Sequence, residues 1–248
     1  GSIVLTSNKI IVRRSQDPDA NTTLPLLDFN AAEAETPVTH TLTVMNLGAD
    51  VVSPIVVFGS NLATAASTSV GLHMNIPGAN QTTWPHPTHP APGANDLHGY
   101  QLVTAFVNGA NRALGAYYRV GQDRTLTLGP AIGAVNVTTA ATTPTARFRA
   151  QYTTQSELNK GWALAYTQTA AGAHRSYTLN VFPSYQGSST AFDFAVPDFS
   201  GLLGWQGVWG LVVGVPVNWT LSAVGGNGVT SVEGSIATTA TRMGTITP

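Results

Sequence analysis

Residues 38–44 read Val-Thr-His-Thr-Leu-Thr-Val, and this stretch decides the fold class. Every second residue is a threonine, so the three threonines share one face of an extended chain. Val38, Leu42 and Val44 share the other face together with His40. Alternation with a period of two predicts a β-strand that is buried on one side and solvated on the other.

The same alternation recurs along the chain and is clearest at residues 145–152, 162–166 and 176–181. Other apolar runs bring the expected number of strands to about ten to twelve, separated by clusters of Gly, Pro, Asn and Asp. These runs cover residues 3–5, 10–12, 51–58, 101–107, 125–128, 135–139, 191–196, 208–217 and 229–236. The pattern predicts an all-β sandwich or barrel.

Two segments depart from this pattern. Residues 108–120 (NGANRALGAYYRV) predict a short helix, although two glycines weaken it. Residues 75–99 carry five prolines and three glycines and predict a long irregular loop. Similar strand patterns lie on both sides of that loop and no internal repeat is evident, so we expect one domain over residues 1–248. Residues 1–35 are a candidate N-terminal arm.

The chain is poor in charge. Only 9% of its 248 residues are Asp, Glu, Lys or Arg, against about 25% in an ordinary soluble domain. This shortage predicts that much of the surface is buried against copies of the same chain, because buried charges are costly unless paired. The alternative is a secreted β protein with an uncharged surface. The net charge of −1 gives the visible chain no general attraction for nucleic acid.

Candidate metal ligands are few and weakly placed. His86 and His89 have a spacing that a metal can use, but the flanking prolines favour a stiff, exposed loop. Asp17, Asp19 and Asp96 are candidate Ca²⁺ ligands at subunit contacts, although turn chemistry is the favoured interpretation for all three. The chain has no cysteine, so it has no disulfide or thiolate site.

No motif of catalysis or of membrane insertion stands out. The sequence contains no paired acids in a recognisable setting, no nucleophile elbow and no phosphate-binding loop. It also contains no run of 18 or more apolar residues. We therefore predict a protein that is not an enzyme, has no resident cofactor and does not associate with a membrane.

Three tryptophans are candidates for an interface or a recognition loop. Trp205 and Trp209 lie in residues 201–217, which carry no charge. Such a segment is an aggregation hazard when exposed, so it predicts a central strand or a contact between subunits. Trp84 lies in the proline-rich loop and would serve a recognition surface there.

Residues 146–166 (ARFRAQYTTQSELNKGWALAY) form a strand, a polar turn and a second strand. This segment resembles part of the nodavirus-like and tetravirus-like coat proteins of small icosahedral viruses. The resemblance implies a jelly-roll sandwich with about eight to ten antiparallel core strands and long irregular loops. It also implies a basic N-terminal arm that contacts the genome, of which Arg13 and Arg14 would be the end. Some relatives cleave themselves beside an Asn near the C-terminus, but Asn227-Gly228 is more typical of a hairpin turn.

The resulting prediction is a viral capsid protein that self-assembles into an icosahedral shell. It would be located in the virion, and its partners would be many copies of itself and the packaged nucleic acid. The alternative is a phage or bacterial receptor- or carbohydrate-binding sandwich whose recognition surface is the loop 75–99 with Trp84. An enzyme on a β scaffold is the third possibility, for which the sequence names no residues.

Overall fold

A computed structural model describes residues 2–13, 23, 25–60, 67–75, 81–187, 190–227 and 232–248. Fifteen strands lie in these ranges. They are β1 Ser2–Thr6, β2 Val38–Met45, β3 Val52–Ser60, β4 Ser67–Asn75, β5 Thr83–Thr88, β6 Asp96–Thr104, β7 Ala110–Tyr118, β8 Arg124–Thr127, β9 Asn136–Ala141, β10 Arg147–Thr153, β11 Gly161–Ala170, β12 Ala173–Val181, β13 Ala191–Ala195, β14 Val217–Gly226 and β15 Ile236–Ile246. The protein is all-β, as the alternation predicts.

Helical structure in the described residues is short. One α-helical turn, α1, spans Pro183–Gln186, and 3₁₀ turns span Ser156–Leu158 and Gly207–Trp209. No helix in these ranges has the length and apolar character needed to cross a membrane.

The chain divides into two compact units. Unit 1 comprises Gly1–Ala105, Ala113–Leu128 and Asn227–Ala237, and unit 2 comprises Phe106–Arg112, Gly129–Gly226 and Thr238–Pro248. Each unit has its own hydrophobic core. The single domain expected over residues 1–248 stays a prediction.

Unit 2 is a seven-stranded sandwich. Strands β13, β10 and β9 form one sheet in that order, and β15, β14, β11 and β12 are consecutive neighbours in a second, larger sheet. The inner faces bury large side chains such as Phe148, Tyr166 and Phe192. An immunoglobulin constant domain has the same order except for the fourth strand. Here the fourth strand, β12, lies beside the third, β11, instead of beside the fifth, β13.

Unit 1 repeats this arrangement. β2 pairs with β5, while β4, β3, β6 and β7 follow one another in the second sheet, with β1 outside β4. Strand β8 lies beside β2 and runs parallel to it. It takes the position that β9 takes beside β10 in unit 2. The core includes Leu42, Phe58, Trp84 and Tyr100.

The chain therefore contains a structural repeat that its sequence does not reveal. The sequence has no evident internal repeat, and the repeat lies in the strand order, because six strands of each unit occupy equivalent positions. The jelly-roll order implied by the coat-protein resemblance is not confirmed, since the pairings of both units follow the immunoglobulin-like order. The all-β prediction itself is confirmed.

The proline-rich segment 75–99 is more regular than its composition predicts. Thr83–Thr88 forms β5, which pairs with β2 alone at the edge of its sheet. Pro85 and Pro87 lie two residues apart, so both missing N–H groups point to the same side, away from β2. Prolines are tolerated on an edge strand for this reason.

Segments 108–120 and 208–217 also differ from the sequence-based expectation. The predicted helix at 108–120 is strand β7, in which Arg112, Leu114 and Ala116 are buried at a period of two. The predicted strand at 208–217 is a loop with a 3₁₀ turn, and strand structure begins at Val217. In both cases the apolar content was recognised, but the periodicity of a short run did not distinguish the conformations.

The described part of the candidate N-terminal arm is tied to unit 1. Residues 2–6 pair with β4 as strand β1. Ile10 is buried in the unit 1 core and shares two backbone hydrogen bonds with Glu35. The described residues 2–13 are therefore tied to unit 1, and an N-terminal arm over residues 1–35 stays a prediction.

Candidate functional site

Trp84 lies in the core of unit 1. Its side chain is 1% exposed and stands on β5 opposite Leu42 of β2. The recognition role predicted for Trp84 is therefore wrong, because a buried indole cannot present a surface to a ligand. The alternation of residues 84, 86 and 88 explains this burial, since all three point to the inner side of an edge strand.

The histidines of segment 75–99 are also buried. His86 is 2% exposed and hydrogen-bonds through Nε2 to the hydroxyl of Tyr100 at 3.0 Å. Burial lowers the pKa of His86 to about 4, with further lowering by His40, His98 and Arg124 against a raising contribution from Asp123. His86 is therefore neutral at physiological pH.

His98 fastens the segment before β6 to the sheet. Its Nε2 accepts a hydrogen bond from the backbone N–H of His89 at 2.8 Å, while Nδ1 donates to the carbonyl of Arg119 at 3.0 Å. Burial lowers the pKa of His98, and the accepting Nε2 requires the neutral ring. The ring of Phe58 stacks on His89 at 4.5 Å. These contacts are structural in character.

The candidate metal ligands do not converge. Within the described ranges, no group of three or more His, Asp and Glu side chains is arranged to hold a metal ion. Asp96 is 2% exposed and accepts a hydrogen bond from the backbone N–H of Gly93 at 2.6 Å, which is turn chemistry. Asp17 and Asp19 lie outside the described residues. Calcium binding between subunits stays a prediction.

Arg13 is engaged within its own chain. Its guanidinium donates to the carboxylate of Glu33 and to the carbonyls of Pro25 and Leu26. Arg14 lies outside the described residues. Contact of these two arginines with a genome stays a prediction, and the geometry of Arg13 lends it no support.

Residues 202–213 of unit 2 expose a set of apolar side chains, which we call the apolar surface. Leu203 is fully exposed, and Trp209 is 50% exposed. The other members are Leu202, Val208, Val212 and Val213. Monomeric proteins rarely expose contiguous apolar patches larger than a few hundred Å², and large patches mark sites of interaction.

A buried glutamine anchors the apolar surface. The side-chain amide of Gln168 on β11 donates to the carbonyls of Val212 and Val215, at 2.9 and 3.0 Å. Its oxygen accepts a hydrogen bond from the backbone N–H of Val212 at 2.8 Å. Gln168 is 2% exposed, so these bonds are shielded from water. The exposed side chains therefore project from a loop of defined conformation.

Aromatic rings support the same segment from the side of β12. The ring centroid of Trp205 lies 5.6 Å from that of Phe199 and 6.5 Å from that of Tyr177. The ring of Trp209 packs edge-on against Trp205, with 5.7 Å between centroids. The hydroxyl of Tyr177 donates to the carbonyl of Trp209 at 3.1 Å. Trp205 is thus a half-buried support, whereas Trp209 is the exposed member of the predicted pair.

A second feature of unit 2 is a shallow polar groove on the outer face of the β13-β10-β9 sheet, which we call the sheet groove. Its lining residues are Thr138, Thr139, Ala140, Arg149, Asp193 and Ala195. Nε and Nη2 of Arg149 both donate to the carboxylate of Asp193. Nε2 of Gln151 donates to the same carboxylate at 2.9 Å. These bonds lower the pKa of Asp193 and keep it ionised.

Comparison with known proteins gives little guidance. The sequence matches no protein-family model, and no curated protein matches it. Among solved structures, a protein from Bacteroides uniformis with a provisional assignment as carbohydrate-binding aligns over 85% of this chain and 98% of its own, at 8% identity and a TM-score of 0.31. A DUF3823 family protein from Bacteroides ovatus aligns over 85% and 99%, at 12% identity and a TM-score of 0.29. Likenesses this weak carry no argument about function.

Sequence reasoning named Trp209 and Trp205 but missed Gln168 and Asp193. Asp193 interrupts the run Ala-Phe-Asp-Phe-Ala, and its outward position on a strand can be read from that alternation. Its pairing with Arg149 cannot be read from the sequence, because 44 residues separate the two. Gln168 carried no local signal, since a glutamine on a strand is ordinarily solvated.

Proposed function

We propose that this chain is a non-enzymatic structural protein that assembles with copies of itself through the apolar surface of unit 2. The observation that carries this proposal is the exposure of Leu203, Val208 and Trp209 on a loop that Gln168 holds in place. Association requires little further ordering of such a loop, and this keeps the entropic cost of binding low.

The chemistry of the apolar surface favours a protein partner. Its exposed members are mainly aliphatic, and residues 199–217 contain no Lys, Arg, Asp or Glu. Interface centres are depleted of charge and enriched in aromatic side chains. An uncharged patch gains nothing from a charged partner, because the partner's ions would lose their hydration without compensation.

A second copy is the occupant that the chain itself supplies. With 9% charged residues, much of the remaining surface is uncharged as well, so another copy offers a matching face. Homo-oligomers are the commonest soluble assemblies, and a two-fold axis brings the same patch of both copies together. The proposed contact places Trp209 near its centre, where tryptophan contributes most to affinity.

The icosahedral capsid is the more specific form of this proposal. Its support is the coat-protein resemblance of residues 146–166 together with the low charge. The immunoglobulin-like strand order of both units offers it no further support. Packaging of nucleic acid and location in the virion belong to this specific form and stay predictions.

Sedimentation velocity over a range of concentrations tests the self-assembly proposal. We expect oligomers in the unmodified chain, and we expect Leu203→Lys and Trp209→Ser to weaken their association about tenfold or more. Leu26→Lys is the matched control, since Leu26 is also exposed (89%) but belongs to unit 1. Negative-stain electron microscopy of the same samples distinguishes closed shells from small oligomers.

An unmodified chain that stays monomeric at its highest soluble concentration contradicts the proposal. The same conclusion follows when Leu203→Lys associates as strongly as the unmodified chain. Oligomers without closed shells support self-assembly and overturn the capsid form.

A further inference from the structure

We infer that the sheet groove of unit 2 is a binding subsite for a neutral carbohydrate. The inference is independent of self-assembly, because the groove and the apolar surface share no residue. Its basis is a preformed set of donors and acceptors on a sheet face, built around the ion pair of Arg149 and Asp193.

A β-bulge gives the groove its shape. Phe148 pairs with Thr139 and Arg147 pairs with Ala141, so Ala140 is an extra residue on β9. Ala140 follows Thr139 at the bulge, and Thr138, Thr139 and Ala140 all line the groove. Bulges redirect side chains and are over-represented next to active sites.

Small residues leave the middle of the groove open. Arg149 pairs with Thr138 on one side and with Ala195 on the other. Neither neighbour is long enough to cover the guanidinium. A pyranose ring would lie over Ala195 and Thr138, with its hydroxyls directed at the ion pair.

The polar groups are ordered before any ligand arrives. Gln151 donates to Asp193, and Asn136 donates to the side-chain oxygen of Gln151 at 3.4 Å. The contacts described for Arg149 use Nε and Nη2, which leaves the Nη1–H groups for a ligand. Preorganised donors and acceptors of this kind reduce the entropic cost of binding.

The balance of charge selects a neutral ligand. Arg149 and Asp193 cancel one another, so an anion would meet the carboxylate and a cation would meet the guanidinium. A sugar hydroxyl donates to a carboxylate and accepts from a guanidinium, so neighbouring hydroxyls of one sugar satisfy both partners of the pair. Peptides that bind β proteins as an added strand use a sheet edge instead of a sheet face.

A printed array of neutral and anionic oligosaccharides, followed by calorimetric titration of the hits, tests this inference. We expect at least one neutral glycan to bind, and Arg149→Met to weaken it about tenfold or more through loss of a charge-assisted hydrogen bond. Ala195→Tyr fills the groove without removing the ion pair and should abolish binding. Arg147→Met is the matched control, because Arg147 lies on the same strand and contacts Asp198 but does not line the groove.

Circular dichroism and thermal melting establish that each variant is folded, which is expected because Arg149 is about half exposed. Absence of glycan binding by the unmodified chain overturns the inference. So does binding restricted to anionic glycans, or binding that neither Arg149→Met nor Ala195→Tyr weakens. Sedimentation of the same variants keeps the outcome separate from that of self-assembly.

Discussion

Nε2 of His86 lies 3.0 Å from the hydroxyl oxygen of Tyr100, and both side chains are buried in unit 1. The other ring nitrogen of His86, Nδ1, has no hydrogen-bond partner among the described residues. A second proton on this ring would add a charge without an acceptor to stabilise it. The neutral ring is therefore a condition for the packing of unit 1.

Unit 1 should lose stability as the pH falls from about 7 to about 4. Unfolded His86 titrates near 6.5, whereas its folded pKa is about 4. Between these values the unfolded state binds more protons, so the free energy of unfolding decreases with falling pH, by roughly 1–3 kcal/mol for this group. The pKa of His98 is lowered in the same direction. Urea unfolding at a series of pH values measures the slope.

His86→Gln tests the assignment, because glutamine bonds to the Tyr100 hydroxyl but does not titrate. Its unfolding free energy should depend less steeply on pH between 4 and 6.5 than that of the unmodified chain. Equal slopes in the two proteins would show that His86 is not the titrating group.

Trp84→Ala should destabilise unit 1 without altering any binding surface. Removal of a buried indole leaves a cavity, and the expected loss is about 3–5 kcal/mol. Trp209→Ala, at a half-exposed position, should cost less than about 1 kcal/mol. Chemical denaturation of the monomeric form of both variants makes the comparison, and a smaller loss for Trp84 than for Trp209 would contradict the placement of the two residues.

Gly225→Ala should destabilise unit 2. A Cβ at this position would overlap the carbonyl oxygen of Glu157, and the nearby Leu158 is buried. The hydrogen bond from the Lys160 N–H to the Val224 carbonyl, at 2.8 Å, opposes separation of the two segments. We expect a loss of about 1–3 kcal/mol or more, measured by thermal melting.

Gly201→Ala provides the comparison for Gly225→Ala. Beyond the two neighbouring residues of the chain, no atom lies within 4 Å of the position that a Cβ would take on Gly201. The substitution should therefore change stability by less than about 0.5 kcal/mol. Similar melting temperatures for the two variants would show that the Glu157 segment moves freely.

Gln168→Leu should loosen residues 202–213. The substitution leaves the N–H of Val212 and the carbonyls of Val212 and Val215 without their amide partner, at an expected cost of about 2–4 kcal/mol. Limited proteolysis should cut this segment faster than in the unmodified chain. Thr169→Val, at the exposed neighbouring position, should leave the cleavage rate unaltered, and equal rates in all three proteins would disprove the anchoring role.

The sequence predicted strands correctly where one face of the strand is solvated and the other is buried. The alternation at 38–44 and at 176–181 predicted β2 and β12, because burial on one side imposes a period of two. The alternation was not recognised at β7, because Arg112 stands at a buried position of this strand. Its guanidinium donates a hydrogen bond to the carbonyl of Gly129. A buried arginine that is satisfied by a backbone carbonyl has no local signature.

The candidate sites were harder to predict because they depend on distant pairings. Trp84 looked like a loop residue since the prolines around it are rare in central strands, yet they suit an edge strand. The Arg149–Asp193 pair and the Gln168 anchor each join residues 44 positions apart. Contacts at this separation follow from the strand order, which local patterning does not determine.

Residues 227–237 complete unit 1 although they follow most of unit 2 in the chain. Within unit 1, the N–H of Gly234 donates to the carbonyl of Tyr117 at 2.8 Å, and Ile236 packs against the core. During translation, residues 227–237 are therefore synthesised only after residues 129–226, so unit 1 cannot be completed before most of unit 2 has been made. A premature stop before residue 237 would therefore leave both units incomplete.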